Sequence, residues 1–193
     1  MRLPDVGGTM AVDVLGPDLR TLRKQRGLTL QRVADALSRS VGWVSQVERG
    51  ISRPDPDDLT AIASLYEVPL DLISGDSATP PDERGRVVRC GRHKRIDGKA
   101  KGLHEVLLSP DLTDTFEVIR SEFAPRSEQP NPRRRATQEL AVMIEGRLVI
   151  EVEGNRFTLG PGDSLRLRGE PYTWANPYRD PAVAVWVISP PVY

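Results

Sequence analysis

Apolar residues recur at helical spacing through the first third of the chain and at strand spacing through the rest. From about Val14 to Gly75, Leu15, Leu19 and Leu22 predict a first helix, and Leu30, Val33, Ala34 and Leu37 a second. Val44 and Val47 mark a third, Leu59, Ile62, Ala63 and Tyr66 a fourth, and Leu70 and Ile73 a fifth. Thr29 and Ser40 stand where N-caps are needed, Gly27, Gly50 and Gly75 act as stops, and Pro54 and Pro56 part the third helix from the fourth. Five short helices in such a span predict a compact bundle. Residues 76–86, rich in turn formers and poor in apolar residues, predict a linker.

From about Val87 the period becomes two. Leu148, Ile150 and Val152 alternate with Val149, Glu151 and Glu153, Gly154-Asn155 turns the chain, and Phe157 and Leu159 continue it. Gly160-Pro161-Gly162-Asp163 predicts a second turn ahead of Leu165 and Leu167, and Ala182 to Ile188 is a near-continuous apolar strand. Many short strands with Gly/Pro turns indicate a sandwich or barrel. The expected organisation is a helical unit over 14–75, a linker over 76–86 and a β-unit over 87–193.

The second and third helices, with Ser38-Arg39-Ser40 between them, have the layout of helix, three-residue turn, helix. The run Leu19-Arg-x-Leu22-Arg-x-x-Arg26-Gly27-Leu28-Thr29, then Val44-Ser-x-Val47-Glu48-Arg49-Gly50, then Pro54, Leu59, Ile62-Ala63 and Val68-Pro69-Leu70 resembles the Xre/Cro/C1-type helix-turn-helix regulators over about sixty residues. The resemblance implies a five-helix, lambda-repressor-like bundle, a function in transcription regulation, and an internal ion pair between Arg23 and Glu48. The residues support it independently. With Val44 and Val47 facing a core, Val41, Gly42, Ser45, Gln46 and Arg49 fall on the outward stripe. In a helix-turn-helix the N-terminal part of that stripe enters the major groove. There Gln46 can pair with adenine N6 and N7, Ser45 with either kind of edge, and Val41 with a thymine methyl, while Gly42 permits close approach. Gln31, Arg39, Ser40 and Trp43 complete the expected DNA-facing set. Trp43 has two readings, stacking on the sugar-phosphate or packing on a neighbouring helix.

The formal net charge is zero, so bulk basicity says nothing about nucleic acid. Locally, residues 18–50 hold seven Arg or Lys against three acids, while residues 51–76 hold Arg53 against six acids, giving one face that attracts phosphate and one that repels it. A second basic stretch runs from Arg84 to Lys101, with a phosphate contact and a solvated barrel entrance as alternatives.

In the β-half, Glu139 to Gly146, Leu159 to Ser164 and Pro171 to Pro177 resemble the two cupin motifs, over about Val87 to Tyr193. The resemblance implies a jelly-roll β-barrel, and the pairing with an Xre-like unit is a known regulator architecture. The family's His-x-His-x-x-x-Glu motif becomes Arg133, Arg135 and Glu139 here, and Tyr172 stands at the third His position. A guanidinium has no lone pair to give a metal, so no metal, no cofactor and no metal-dependent chemistry are expected. The enzyme alternative, an epoxidase- or oxygenase-like cupin carrying a vestigial helix-turn-helix unit, needs the missing triad. His93 and His104 lie outside both motifs. Arg133, Arg135, Glu139, Tyr172 and Trp174 would surround the family's pocket mouth, where arginine and aromatics suit a small anionic effector. The other reading is a solvated Pro130–Arg135 loop and a β-unit that only dimerises.

Expected partners are therefore double-stranded DNA and a second copy of the chain. The single cysteine, Cys90, suits a reducing cytoplasm, and no apolar run approaches membrane-spanning length. The first fourteen residues lack a leader pattern and are expected to form a loose tail.

Overall fold

The computed structural model describes residues 14–74, 79–80, 82–96 and 100–192. The chain separates into two compact units, residues 1–92 and 93–193. Almost all of the expected N-terminal tail, the Gly75 stop and part of the expected linker lie outside the described residues.

The first unit contains five helices: α1 (Leu15–Gln25), α2 (Leu30–Leu37), α3 (Val41–Glu48), α4 (Pro56–Tyr66) and α5 (Leu70–Ile73). The expected caps form. The Thr29 side chain accepts from the Arg32 N–H and the Ser40 side chain from the Trp43 N–H, each at 3.1 Å, so each helix start has one donor satisfied. At α4, Asp55 and Asp58 build a reciprocal capping box ahead of Pro56. The core takes Leu19 and Leu22 from α1, Val33 and Ala34 from α2, Val44 and Val47 from α3, Ile62, Ala63 and Tyr66 from α4, and Leu72 and Ile73 from α5. Leu70, expected to face this core, is exposed at the first position of the short α5, and Leu72 takes its place. Gly16 is buried where α1 crosses the end of α3. A Cβ there would lie 2.7 Å from the Val47 carbonyl oxygen, so only glycine lets the two backbones approach this closely.

The second unit is all antiparallel β. Its strands are β1 (Lys94–Arg95), β2 (Leu103–Leu107), β3 (Glu117–Phe123), β4 (Ser127–Arg133), β5 (Gln138–Glu145), β6 (Leu148–Val152), β7 (Asn155–Leu159), β8 (Ser164–Leu167), β9 (Tyr172–Asn176) and β10 (Ala182–Ser189). They form a six-stranded sheet, β1-β2-β3-β10-β5-β8, and a four-stranded sheet, β4-β9-β6-β7. Among the described residues the expected barrel is thus two sheets, with no strand pairing that closes them into one. Phe123 of the larger sheet meets Trp174 of the smaller edge-to-face at 4.8 Å, and Tyr172 stacks with Trp186 at 6.0 Å. The core lies between the sheets.

Two strands distribute their side chains against simple hydrophobicity. In β5, Glu139, Ala141 and Met143 point inward and are buried, whereas Leu140, Val142 and Ile144 point outward and are exposed. Pairing with β10 explains this: Glu139 stands opposite Ile188, Ala141 opposite Trp186 and Met143 opposite Ala184, all buried. Phe157, opposite the buried Ile150, is 44 % exposed because β7 is an edge strand. Gly146 follows β5 at φ +69°, where a Cβ would lie 2.2 Å from the Pro181 carbonyl oxygen, so the reversal into β6 requires glycine.

Candidate functional site

In the helical unit the site is built by holding α3 from behind. Arg23 of α1 donates Nε and Nη2 to the two carboxylate oxygens of Glu48 at 2.5 and 3.0 Å, and Nη1 to the Leu28 carbonyl at 2.8 Å. The carboxylate hydrogen bond raises the pKa of Arg23 despite its partial burial. This ion pair is the one the family resemblance implies. Arg26 donates to the Tyr66 carbonyl at 2.7 Å, tying the end of α1 to α4.

On the other side of α3, Gly42, Gln46 and Arg49 are exposed and Val41, Trp43 and Ser45 are half-buried. Gln46 Oε1 accepts from the Ser52 hydroxyl at 3.0 Å, and Arg49 Nε donates to the Ser45 carbonyl at 3.2 Å. Ser40 is the N-cap of α3, and Gln31, exposed on α2, donates to Asp35 at 2.8 Å. Arg39 is engaged within the protein. Its Nε and Nη2 donate to the Asp58 carboxylate at 3.0 and 2.9 Å, and its guanidinium lies 5.0 Å from the centre of the Trp43 ring. Trp43 therefore carries a cation on its face. Of the seven basic residues in 18–50, Arg23, Arg26, Arg39 and Arg49 bond within the unit, and Arg20, Lys24, Arg32, Arg39 and Arg49 are exposed. In the second basic stretch, Arg89 is paired with Glu83, and Lys94 and Arg95 form β1.

In the β-unit, Arg133, Arg135, Glu139, Tyr172 and Trp174 all line one narrow recess with room for about one water molecule. Arg133 ends β4 directly opposite Tyr172 on β9, and a register shift between Gln129 and Arg133 brings it there. Arg133 and Arg135 are half-buried, while Arg134 between them is exposed. Glu139 accepts from Thr137 at 2.9 Å and from the Tyr172 hydroxyl at 3.4 Å. Burial pushes its pKa up, opposed by the Thr137 hydrogen bond and the charge of Arg133. Burial also raises the pKa of Tyr172, with the negative charge of Glu139 adding to it.

The sequence reading missed part of this recess. Glu105 of β2 lines it and accepts from Ser121 of β3 at 2.7 Å, and Trp186 closes it from β10. A signal existed: Glu105 lies two residues from both Leu103 and Leu107, on an inward strand face. The reading also missed Ser52 and the acids that hold Arg39, because turn residues carry no period. Asn176, matched to a cupin motif position, is structural. It donates to the Phe123 and Asp180 carbonyls at 3.0 and 2.9 Å and accepts from the Tyr178 N–H.

Two carboxylates among guanidinium groups and aromatic rings, with no imidazole or thiolate, do not fit the transition-metal centre that cupins are built to hold. Among the described residues no group of three or more His, Cys, Asp or Glu is arranged to hold a metal ion. No helix among them is long and apolar enough to cross a membrane.

A capped helix whose inner face is locked into a bundle and whose outer face is open, following a second helix after a tight turn, defines a helix-turn-helix protein. Comparison with known proteins agrees. A helix-turn-helix domain model matches residues 14–74 and a cupin domain model residues 119–188. The transcriptional regulator ClgR of Mycobacterium tuberculosis (strain CDC 1551 / Oshkosh) is 31% identical over 86 residues, 45% of this chain and 77% of the relative. The HTH-type transcriptional regulator SutR of Escherichia coli (strain K12) is 28% identical over 163 residues, 81% of this chain and 83% of the relative. Among solved structures, an HTH_3 family transcriptional regulator from Vibrio cholerae covers 92% of this chain and 96% of its own, at 22% identity and a TM-score of 0.45. The chain belongs to the helix-turn-helix transcriptional regulators, with a cupin domain C-terminal to the helix-turn-helix one. It is a DNA-binding regulator of transcription.

Proposed function

We propose that the chain acts as a homodimer on a roughly palindromic operator, with α3 of each copy in successive major grooves about one helical turn (~34 Å) apart. The observation that carries this reading is the division of α3. Val44, Val47 and Glu48 are buried behind it, and Gly42, Gln46 and Arg49 are exposed in front. Val41, Gly42, Ser45 and Gln46 face base edges, while Gln31, Ser40, Trp43 and Arg49 serve the backbone. Arg39 holds the turn through Asp58, and its remaining N–H donors serve phosphate. The working units are 14–75 for DNA and 87–193 for the β-unit, with 76–86 joining them, in a reducing cytoplasm.

The β-unit is a cupin jelly roll kept for dimerisation and sensing, and the protein is not a catalyst. The exposed strip of Leu140, Val142, Ile144 and Val187 on the larger sheet supports pairing with a second copy. Arg133 and Arg135 support a small anionic effector, whose hydrogen-bond donors would meet Glu139. Such a ligand works by favouring one spacing of the paired helical units. Thermal shift with small carboxylates, phosphate and sulfate tests it; no shift with any of them overturns the sensing role.

Gln46→Ala tests the central reading. Its loss of affinity for a selected operator should greatly exceed its loss for random duplex. Equal losses would mean that Gln46 reads no base.

A further inference from the structure

We propose that Ser52 is a specificity-determining residue: its hydroxyl holds the Gln46 carboxamide in the orientation that selects adenine. The proposal rests on α3 reading bases, as above, and adds a residue outside the recognition helix.

The loop after α3 returns to the helix at Gln46 as well as at Val47, whose carbonyl accepts from the Gly50 N–H. The N–H groups of Ile51 and Ser52 both reach the main-chain carbonyl of Gln46, at 2.9 and 3.3 Å. The Ser52 hydroxyl then donates to the Gln46 side-chain Oε1 at 3.0 Å. The residue that supplies the hydroxyl is thus fixed by its backbone to the residue whose side chain it meets. Ser52 is half-buried and Gln46 exposed, so the bond sits at the edge of the face offered to DNA.

An unheld carboxamide on an exposed helix face presents its oxygen or its NH2 to a partner with equal ease, and so pairs with donor and acceptor edges alike. The Ser52 hydroxyl, which donates to Oε1, favours the orientation with the oxygen on its side. It uses one lone pair of Oε1 and leaves the second lone pair and both Nε2 protons available. Adenine asks for an acceptor at its N6 amino group and a donor at N7, side by side, and the held amide offers both in one orientation. Guanine presents acceptors at both N7 and O6, so Oε1 would face O6 with like polarity. A flipped amide would give up the present bond for one in which the hydroxyl accepts and its own proton is left to water. Holding the side chain in advance also lowers the conformational cost of the contact.

The test uses the full chain. Duplexes are selected from a random pool, and competition with single-base-pair variants gives a discrimination ratio at each position for wild type, Gln46→Ala, Ser52→Ala and Ser52→Thr. Gln46→Ala should collapse discrimination at an adenine position. Ser52→Ala should lower it at that same position by about 2- to 10-fold, the worth of one hydrogen bond, while other positions and random-duplex binding stay at wild-type values. Ser52→Thr, which keeps the hydroxyl, should retain the ratio. The proposal is overturned if Ser52→Ala leaves that ratio unchanged, if it weakens binding to every duplex equally, or if Ser52→Thr behaves like Ser52→Ala. A Gln46→Ala protein with an unaltered ratio everywhere would instead overturn the underlying reading of α3, and the role of Ser52 with it.

Discussion

Replacing Arg23 by alanine isolates what holds the recognition helix in place. Arg23 and Glu48 have only 11% and 6% of their side chains exposed, and they meet through two hydrogen bonds, at 2.5 and 3.0 Å. Their mutual attraction offsets the cost of taking both charges out of water, but removing one partner leaves the other buried and uncompensated. Breaking such a pair costs about 3–5 kcal/mol, whereas replacing both partners by apolar residues of similar volume is roughly neutral or better. For a helical unit of this size each kcal/mol moves the melting temperature by about 4–8 °C, so the lower bound of the cost corresponds to about 12–24 °C. Circular dichroism at a helix-sensitive wavelength, following the full chain through heat and urea, measures both. Arg23→Ala should melt far earlier, and Arg23→Met with Glu48→Leu should recover most of the loss. A single variant within about 1 kcal/mol of wild type would refute the reasoning, as would a double variant no more stable than the single.

Two further outcomes follow from the β-unit. Burial raises the pKa of Glu139 above its unfolded value. The folded state therefore binds this proton more tightly, and its contribution to stability is present in acid and lost as pH rises through the raised value. Glu139→Gln should stabilise the β-unit at neutral pH, with the gain fading as pH falls through the raised value and gone below the usual carboxylate range; a constant difference across a pH series of thermal melts would contradict this. On the outward face, Leu140→Asp combined with Val142→Asp should leave the fold intact and convert a dimer to monomer in sedimentation velocity, and an unchanged sedimentation coefficient would remove that strip from the dimer contact.

The helical unit was readable because its positions are independent of distant sequence. Spacing of Leu19, Leu22, Val44 and Val47 names the inner faces, and Thr29 and Ser40 cap by rules that act over three residues. The β-unit was readable only in part. Turns such as Gly160 to Asp163 are local, but the face a strand buries is set by its partners. Glu139 goes inward, and Leu140 outward, because β10 sets the register across from them. The five predicted recess residues do converge on one cavity, yet Glu105 and Trp186 reach it from strands distant in sequence. Ser52 and the Arg39–Asp58 contact belong to turns, where a side chain's partner depends on the backbone path and leaves no trace in periodicity.

Because the inner edge of α3 carries more of the stability of its unit than the outer edge does, the two can diverge at different rates over evolutionary time. On the reading proposed above, changes at positions 41, 42 and 45, which are half-buried or exposed, should redirect the protein to new genes at less cost to folding than changes at 44 or 47. Position 46 is the exception. Its tether to the following loop means that a new preference there would arise most readily through paired changes at 46 and 52, a coupling that should be visible as covariation when many relatives are compared.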